Sequence, residues 1–145
     1  MHAPIKKRVL ILCTANSARS QIAEGLLRTL GGTVYDVYSA GSRATSVNPL
    51  AITVMDEIGI DIRSQFSKSL DRYLGQPFDA VITVCDNAAE GCPFVPGKYH
   101  RIHWSFPDPA AVEGDAAKLA AFRNVRDGLG GKLEEFVQER SSGIL

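Results

Sequence analysis

The sequence predicts an α/β protein, a doubly wound four-stranded parallel sheet with helices on both faces, formed as one domain over residues 1–145. Three observations lead there. Apolar runs of strand length alternate with stretches of helical period, the order that crossovers between parallel strands produce. Two of those runs, Val9-Leu10-Ile11-Leu12 and Phe78 to Val84, are apolar nearly throughout, as strands covered on both faces must be. No internal repeat, low-complexity segment or linker divides the 145 residues, a length that supports one good core.

Lys7 to Leu12 reads as a central strand. Ile22, Ala23, Leu26, Leu27 and Leu30 recur at helical spacing in a helix starting near Gln21, and Gly31-Gly32 ends it. Val34 to Tyr38 is the second strand and runs into the turn Ala40-Gly41-Ser42. Asn48-Pro49 starts a helix, a capping side chain followed by proline in the first turn. Ala51, Val54, Met55 and Ile58 are expected on its buried face, with Gly59 as the stop. Ser67 is expected to cap a short helix carrying Leu70, Tyr73 and Leu74. Phe78 to Val84 is the third strand and Tyr99 to His103 the fourth. The last helix runs from about Asp115 to Gln138, with Leu119, Phe122, Val125, Leu129, Leu133 and Phe136 stepping by three or four. Gly128, Gly130 and Gly131 weaken it by about 1 kcal/mol each relative to alanine, so a bend or break is expected there. The tail from Ser141 to Leu145 is expected to fray.

Sixteen basic residues balance 16 acidic ones, which leaves no broad positive field for nucleic acid or an anionic membrane surface. No run approaches the ~20 apolar residues of a membrane span. Lys6-Lys7-Arg8 precedes an apolar run too short for a signal peptide. A cytoplasmic monomer is expected. Three cysteines, an odd number in a reducing compartment, argue for catalytic or redox use rather than a disulfide framework.

The chemistry is concentrated in Cys13-Thr14-Ala15-Asn16-Ser17-Ala18-Arg19-Ser20. A cysteine ends a buried strand, five small or polar residues follow, and Arg19-Ser20 lead into a helix. A tight loop entering a helix N-terminus aims several backbone N–H groups at one spot, a cradle for a tetrahedral oxyanion. Thr14, Ala15, Asn16, Ser17 and Ala18 supply that cradle, and Arg19 adds a two-pronged clamp. The same positive field favours the thiolate of Cys13, the form that attacks, and Ser20 can donate a hydrogen bond to it. The plain alternative, a structural cysteine ahead of a helix cap, does not account for an arginine at this spacing. Cys-x5-Arg-Ser, with Asn16, Gln21 and Ala23-Glu24 around it, resembles the loop of the low-molecular-weight protein tyrosine phosphatase superfamily.

Cys85 closes the third strand, and ligands of such sheets sit beyond the carboxyl ends of the strands, so Cys13 and Cys85 can reach one site. Read from the residues alone, Cys85 and Cys92 are two ordinary buried cysteines, metal ligands together with His100 and His103, or a redox relay. Six residues between the cysteines and two between the histidines are poor zinc spacing, and no metal site is expected. Asp108 in Pro107-Asp108-Pro109 reads either as a turn residue or as a proton donor.

The segments Val84-Cys85-Asp86, Cys92-Pro93, His103-Trp104, Pro107-Asp108-Pro109 and Phe122 to Asp127 are similar to the thioredoxin-coupled arsenate reductases, which share the phosphatase fold and loop. The resemblance runs from about Arg8 to Phe136. It implies an arsenate- or phosphate-like oxyanion as substrate, Cys13 as nucleophile, Asp108 as general acid, and a redox disulfide passed from Cys13–Cys85 to Cys85–Cys92. Thioredoxin, or another thiol reductant, would then regenerate the protein. No cofactor is required. Some relatives bind potassium near the positions of Asn16, Ser39 and Glu24. Many relatives carry glycine at the position of Ala15 and cysteine at that of Ala18. Lacking the second loop cysteine, this chain must take its resolving thiol from elsewhere. The rival reading is a low-molecular-weight phosphatase hydrolysing phosphomonoesters through a phosphocysteine at Cys13. Against it, Gly41 to Asn48 contains no aromatic residue and Ala110 follows Asp108-Pro109, which leaves the pocket open and suited to a small anion.

Overall fold

A computed structural model describes residues 5–86 and 93–141. Four strands, β1 (Lys7–Cys13), β2 (Tyr35–Gly41), β3 (Ala80–Thr83) and β4 (His100–His103), form one sheet in the order β2-β1-β3-β4. Every pairing is parallel, so the predicted sheet is the observed one. Strand β1 is central because its apolar run leaves neither face fit for water. Alternation along it then divides the core. Val9, Ile11 and Cys13 face one cluster with Ile22, Val54, Phe122 and Leu129, whereas Leu10 and Leu12 face a smaller one with Tyr73, Phe78 and Val81.

Three helices complete the layers: α1 (Arg19–Gly31), α2 (Pro49–Asp56) and α3 (Asp115–Ser141). Helix α1 begins at Arg19, two residues before the position expected from apolar spacing, because the loop itself turns helical at its end. Ile22, Ala23, Leu26 and Leu27 are buried as expected, while Leu30 is 38% exposed. Asn48 caps α2 by accepting from the Leu50 amide at 2.9 Å, with Pro49 in the first turn. Ala51, Val54 and Met55 are buried, but Ile58 lies beyond the helix end and is 44% exposed. The short helix after Ser67 is a 3-10 turn, Leu70–Tyr73, and Ser69 caps it through the Asp71 amide. Ser67 is drawn away to the anion loop, and Leu74 is 49% exposed.

Helix α3 is continuous through its three glycines, contrary to the expected break, and extends to Ser141. Its buried stripe of Phe122, Val125, Leu129, Leu133 and Phe136 explains this. Each such side chain gains about 1.5–3 kcal/mol on burial, more than the ~1 kcal/mol that a glycine subtracts. A bidentate pair joins α2 to α3: Arg123 Nη2 meets Glu57 Oε2 at 2.6 Å and Arg126 Nη1 meets Glu57 Oε1 at 2.7 Å.

Candidate active site

Cys13 is the last residue of β1, 2% exposed, and pairs in register with Gly41 at the end of β2. Residues 14–18 then curl from the strand into α1. Their carbonyls are all directed to outside partners. Thr14 O accepts from the Arg43 amide at 3.3 Å and Ser17 O from the Asn48 amide at 2.9 Å. Ala15 O accepts from Thr45 Oγ1 at 2.9 Å and Ser67 Oγ at 3.1 Å. Asn16 O accepts from Gln21 Nε2 at 3.0 Å, and Ala18 O from the Ile22 amide at 2.9 Å. A trans peptide sets each N–H opposite the preceding C=O, and no cis peptide occurs among the described residues. The amides of residues 15–19 therefore point away from these anchors.

Asn16 makes this shape possible. Its φ of +48° is the left-handed region, which asparagine tolerates better than most residues. Its fully buried side chain is saturated on both ends. Oδ1 accepts from the Lys68 amide at 2.8 Å and from Gln21 Nε2 at 2.9 Å. Nδ2 donates to Ser20 Oγ at 2.7 Å and to Ser39 Oγ at 3.0 Å. Among the described residues, Ala15 is not left-handed, so alanine there is unstrained. Ser20 Oγ, which accepts from Asn16 Nδ2, lies 2.8 Å from Cys13 Sγ, close enough for its hydroxyl to donate when Cys13 is a thiolate. This is the geometry of a hydroxyl supporting a thiolate.

Arg19 is 4% exposed, and its Nη1 donates to the Phe106 carbonyl at 3.0 Å. Phe106 is in turn seated on α3. A Cβ at Gly128 would lie 2.7 Å from its ring, so only glycine lets the ring sit there. Gly41 plays a similar part on the other side, where a Cβ would come within 2.6 Å of Thr14 O and 2.7 Å of Asn16 N.

The profile of the family described as low molecular weight phosphotyrosine protein phosphatase matches residues 8–142. The chain belongs to this family. Among curated relatives, an arsenate reductase of Halalkalibacterium halodurans is 48% identical over 134 residues, covering 92% of this chain and 96% of that protein. A solved arsenate reductase in the phosphate-binding state superposes with a TM-score of 0.78 at 32% identity, over 92% of this chain and 98% of that one. A thioredoxin-dependent arsenate reductase of Corynebacterium glutamicum gives 0.74 at 28% identity, over 98% of this chain and 65% of that one.

The loop residues Cys13 to Ser20 run from the end of β1 into the start of α1. Cys85 is fully buried two residues past β3, on the strand adjacent to β1 and at the same end of the sheet, where the Val84 amide donates to Leu12 O at 2.9 Å. Cys13 is a free thiol, whereas Cys85 is disulfide-bonded. Cys92 lies outside the described residues. Asp108 is exposed and caps the 3-10 turn Pro109–Ala111, its Oδ1 accepting from the Ala110 amide at 3.0 Å. The histidines of β4 make local contacts, His103 Nδ1 with Thr83 Oγ1 at 2.6 Å, and no cluster able to hold a metal occurs among the described residues. No helix among them is long and apolar enough to cross a membrane.

Glu24, at a position near which some relatives bind potassium, is 3% exposed. Sequence reasoning passed over Gln21, Gly41, Lys68 and Phe106. Gln21, inside the motif and at a helix position that faces the core, carried a usable signal as a polar residue in an apolar stripe. The other three act across long sequence separations and left none.

Proposed function

We propose that this protein reduces arsenate to arsenite through a three-thiol relay. The observation that carries the reading is the placement of Cys13, at the end of β1, and Cys85, two residues past the neighbouring parallel strand β3, at the same end of the sheet. The arsenate reductase names of the relatives support it.

Arsenate enters the cradle as a phosphate-like tetrahedron, held by the amides of residues 15–19 and by Arg19. The Cys13 thiolate attacks arsenic. An As–S bond forms, and one oxygen leaves as water with a proton from Asp108. The Cys85 thiolate then attacks Cys13 Sγ. The S–S bond forms, the S–As bond breaks, and its electron pair stays on arsenic, which departs as arsenite. Cys92 next attacks Cys85, frees Cys13 and moves the disulfide outward. A thioredoxin dithiol, or another thiol reductant, returns two electrons and two protons. The sum is arsenate plus dithiol to arsenite, disulfide and water. The reaction is assigned to a cytoplasmic monomer.

The family description favours one rival, phosphomonoester hydrolysis at Cys13. A slow phosphatase side reaction follows from the shared loop. The lack of an aromatic residue from Gly41 to Asn48, with Ala110 after Asp108-Pro109, favours a small inorganic anion over a phosphotyrosine ring.

The test is arsenite formation with thioredoxin, thioredoxin reductase and NADPH. Wild type should cycle, and Cys85→Ser and Cys92→Ser should each stop after at most one turnover. Normal cycling by Cys92→Ser refutes the outward shuttle. Rapid aryl phosphate hydrolysis with arsenate untouched refutes the reductase.

A further inference from the structure

The resemblance implies a potassium ion beside Asn16, Ser39 and Glu24, and this chain's own residues can be tested against it. The three are linked: Asn16 Nδ2 donates to Ser39 Oγ, which donates to Glu24 Oε1 at 2.5 Å. A potassium ion would need the lone pairs of that carboxylate and hydroxyl. Here the carboxylate already has two cationic partners. Arg28 Nη2 sits 2.9 Å from Oε2, and Lys68 Nζ sits 3.8 Å from Oε1.

Lys68 is the unusual member, because it is 6% exposed although lysine is seldom so deeply buried. Its ammonium donates to the Phe66 carbonyl at 2.5 Å and lies 4.5 Å from the centre of the Phe66 ring. A small cavity of about 130 Å³ beside it is lined by Glu24, Arg28, Ser39, Phe66 and Tyr73. A potassium ion in this site would lie close to a like charge in a largely buried setting, where water screens the repulsion poorly. The residues do not fit the ion.

We propose that the Lys68 ammonium is a covalently attached substitute for a monovalent cation, neutralising Glu24 beneath the anion loop. The chain is then indifferent to potassium, and removal of the ammonium opens a site that potassium can fill. The same residue holds the loop twice. Its amide fixes Asn16 Oδ1 at 2.8 Å, a contact every substitution except proline retains, while its ammonium compensates the carboxylate on which the Asn16–Ser39 chain ends. Burial pushes the Lys68 ammonium below its ordinary pKa, and Glu24 pulls it back, as expected of a charge kept in place by one buried counter-charge.

The inference concerns the loop's scaffold and does not depend on the reaction the loop performs. Its readouts are melting temperature and sulfate affinity, measured in potassium, sodium or choline chloride at equal ionic strength. Wild type and Lys68→Arg should behave alike in all three salts. Lys68→Met should melt lower in choline, and potassium should restore it selectively, tightening sulfate by about 5-fold or more, the lower end of ordinary coupling between sites. A Lys68→Met protein that potassium does not rescue, folded or unfolded, overturns the proposal. So does a wild type that potassium stabilises selectively.

Discussion

Replacing the glycines of α3 one at a time measures the link between that helix and Arg19. Alanine in place of glycine favours a helix by about 0.8–1 kcal/mol. At Gly130 and Gly131 a Cβ would meet nothing within 4 Å, so each substitution should stabilise the protein by about that amount. At Gly128 the Cβ would lie 2.7 Å from the Phe106 ring edge and 3.3 Å from its tip. Carbon atoms in contact sit ~3.5–4.0 Å apart, so the ring must retreat by about 1 Å. Overpacking of this kind costs about 1–3 kcal/mol. Set against the helix gain, Gly128→Ala should range from about neutral to ~2 kcal/mol destabilising. The gap from Gly130→Ala is the contact itself, about 1–3 kcal/mol or roughly 3–10 °C in Tm for a chain of this size. Calorimetry on the two variants reads that gap directly. Because the Phe106 carbonyl receives Arg19 Nη1, Gly128→Ala should also weaken phosphate binding, while Gly130→Ala leaves it unchanged. A Gly128→Ala protein as stable as Gly130→Ala refutes the packing argument. One that is less stable but binds phosphate normally refutes the link to Arg19.

Other perturbations test separate parts of the site and the fold. Ser20→Ala removes the hydroxyl 2.8 Å from Cys13 Sγ. A hydrogen bond to a charged group contributes about 1.5–3 kcal/mol, so alkylation of Cys13 near neutral pH should slow by about 10-fold or more. An unchanged rate would mean that the thiolate draws its support from the amides and Arg19 alone. Glu57 is held down to about 2, chiefly by the Arg123 guanidinium and next by Arg126. Its depressed value makes the unfolded chain the first to take up the proton. The pair's stabilisation is therefore complete above an ordinary glutamate pKa of about 4.5 and is lost as pH falls toward about 2. Glu57→Gln should accordingly lower Tm at neutral pH and converge on wild type in that acid window. A difference that persists unchanged at the acid end would assign the effect to packing.

The sheet and the loop were both readable because their signals are local. Alternating apolar runs fix strand and helix order, and a cysteine, five residues and an arginine fit within one turn of chain. What the residues concealed was reached through distance. Ser67 is expected to cap the next turn, but it donates to the Ala15 carbonyl 52 residues away, and Ser69 takes the cap. Nothing local marks Lys68, which meets Glu24 only because β2 brings Ser39 beside that carboxylate. The period places Ile58 on a buried face, yet it sits where its helix has already ended. The glycines of α3 misled in the opposite direction. Propensity counted three weaknesses, whereas Gly128 is where Phe106 packs.

Anchorage of the loop by distant segments also sets an order of events during synthesis. The partners of its carbonyls, from Arg43 to Ser67, and the amide of Lys68 all precede the second half of the chain, but the seat of Arg19 needs Phe106 and Gly128. The 60 residues from Lys68 to Gly128 take roughly 3–12 s to add at about 5–20 residues per second. During that interval the loop carbonyls have their anchors while the Phe106 carbonyl that receives Arg19 Nη1 is not yet seated on α3. Nascent chains arrested before and after α3 is complete should therefore differ in how readily Cys13 is alkylated. Equal labelling would mean that the cradle reaches its working form without the last helix.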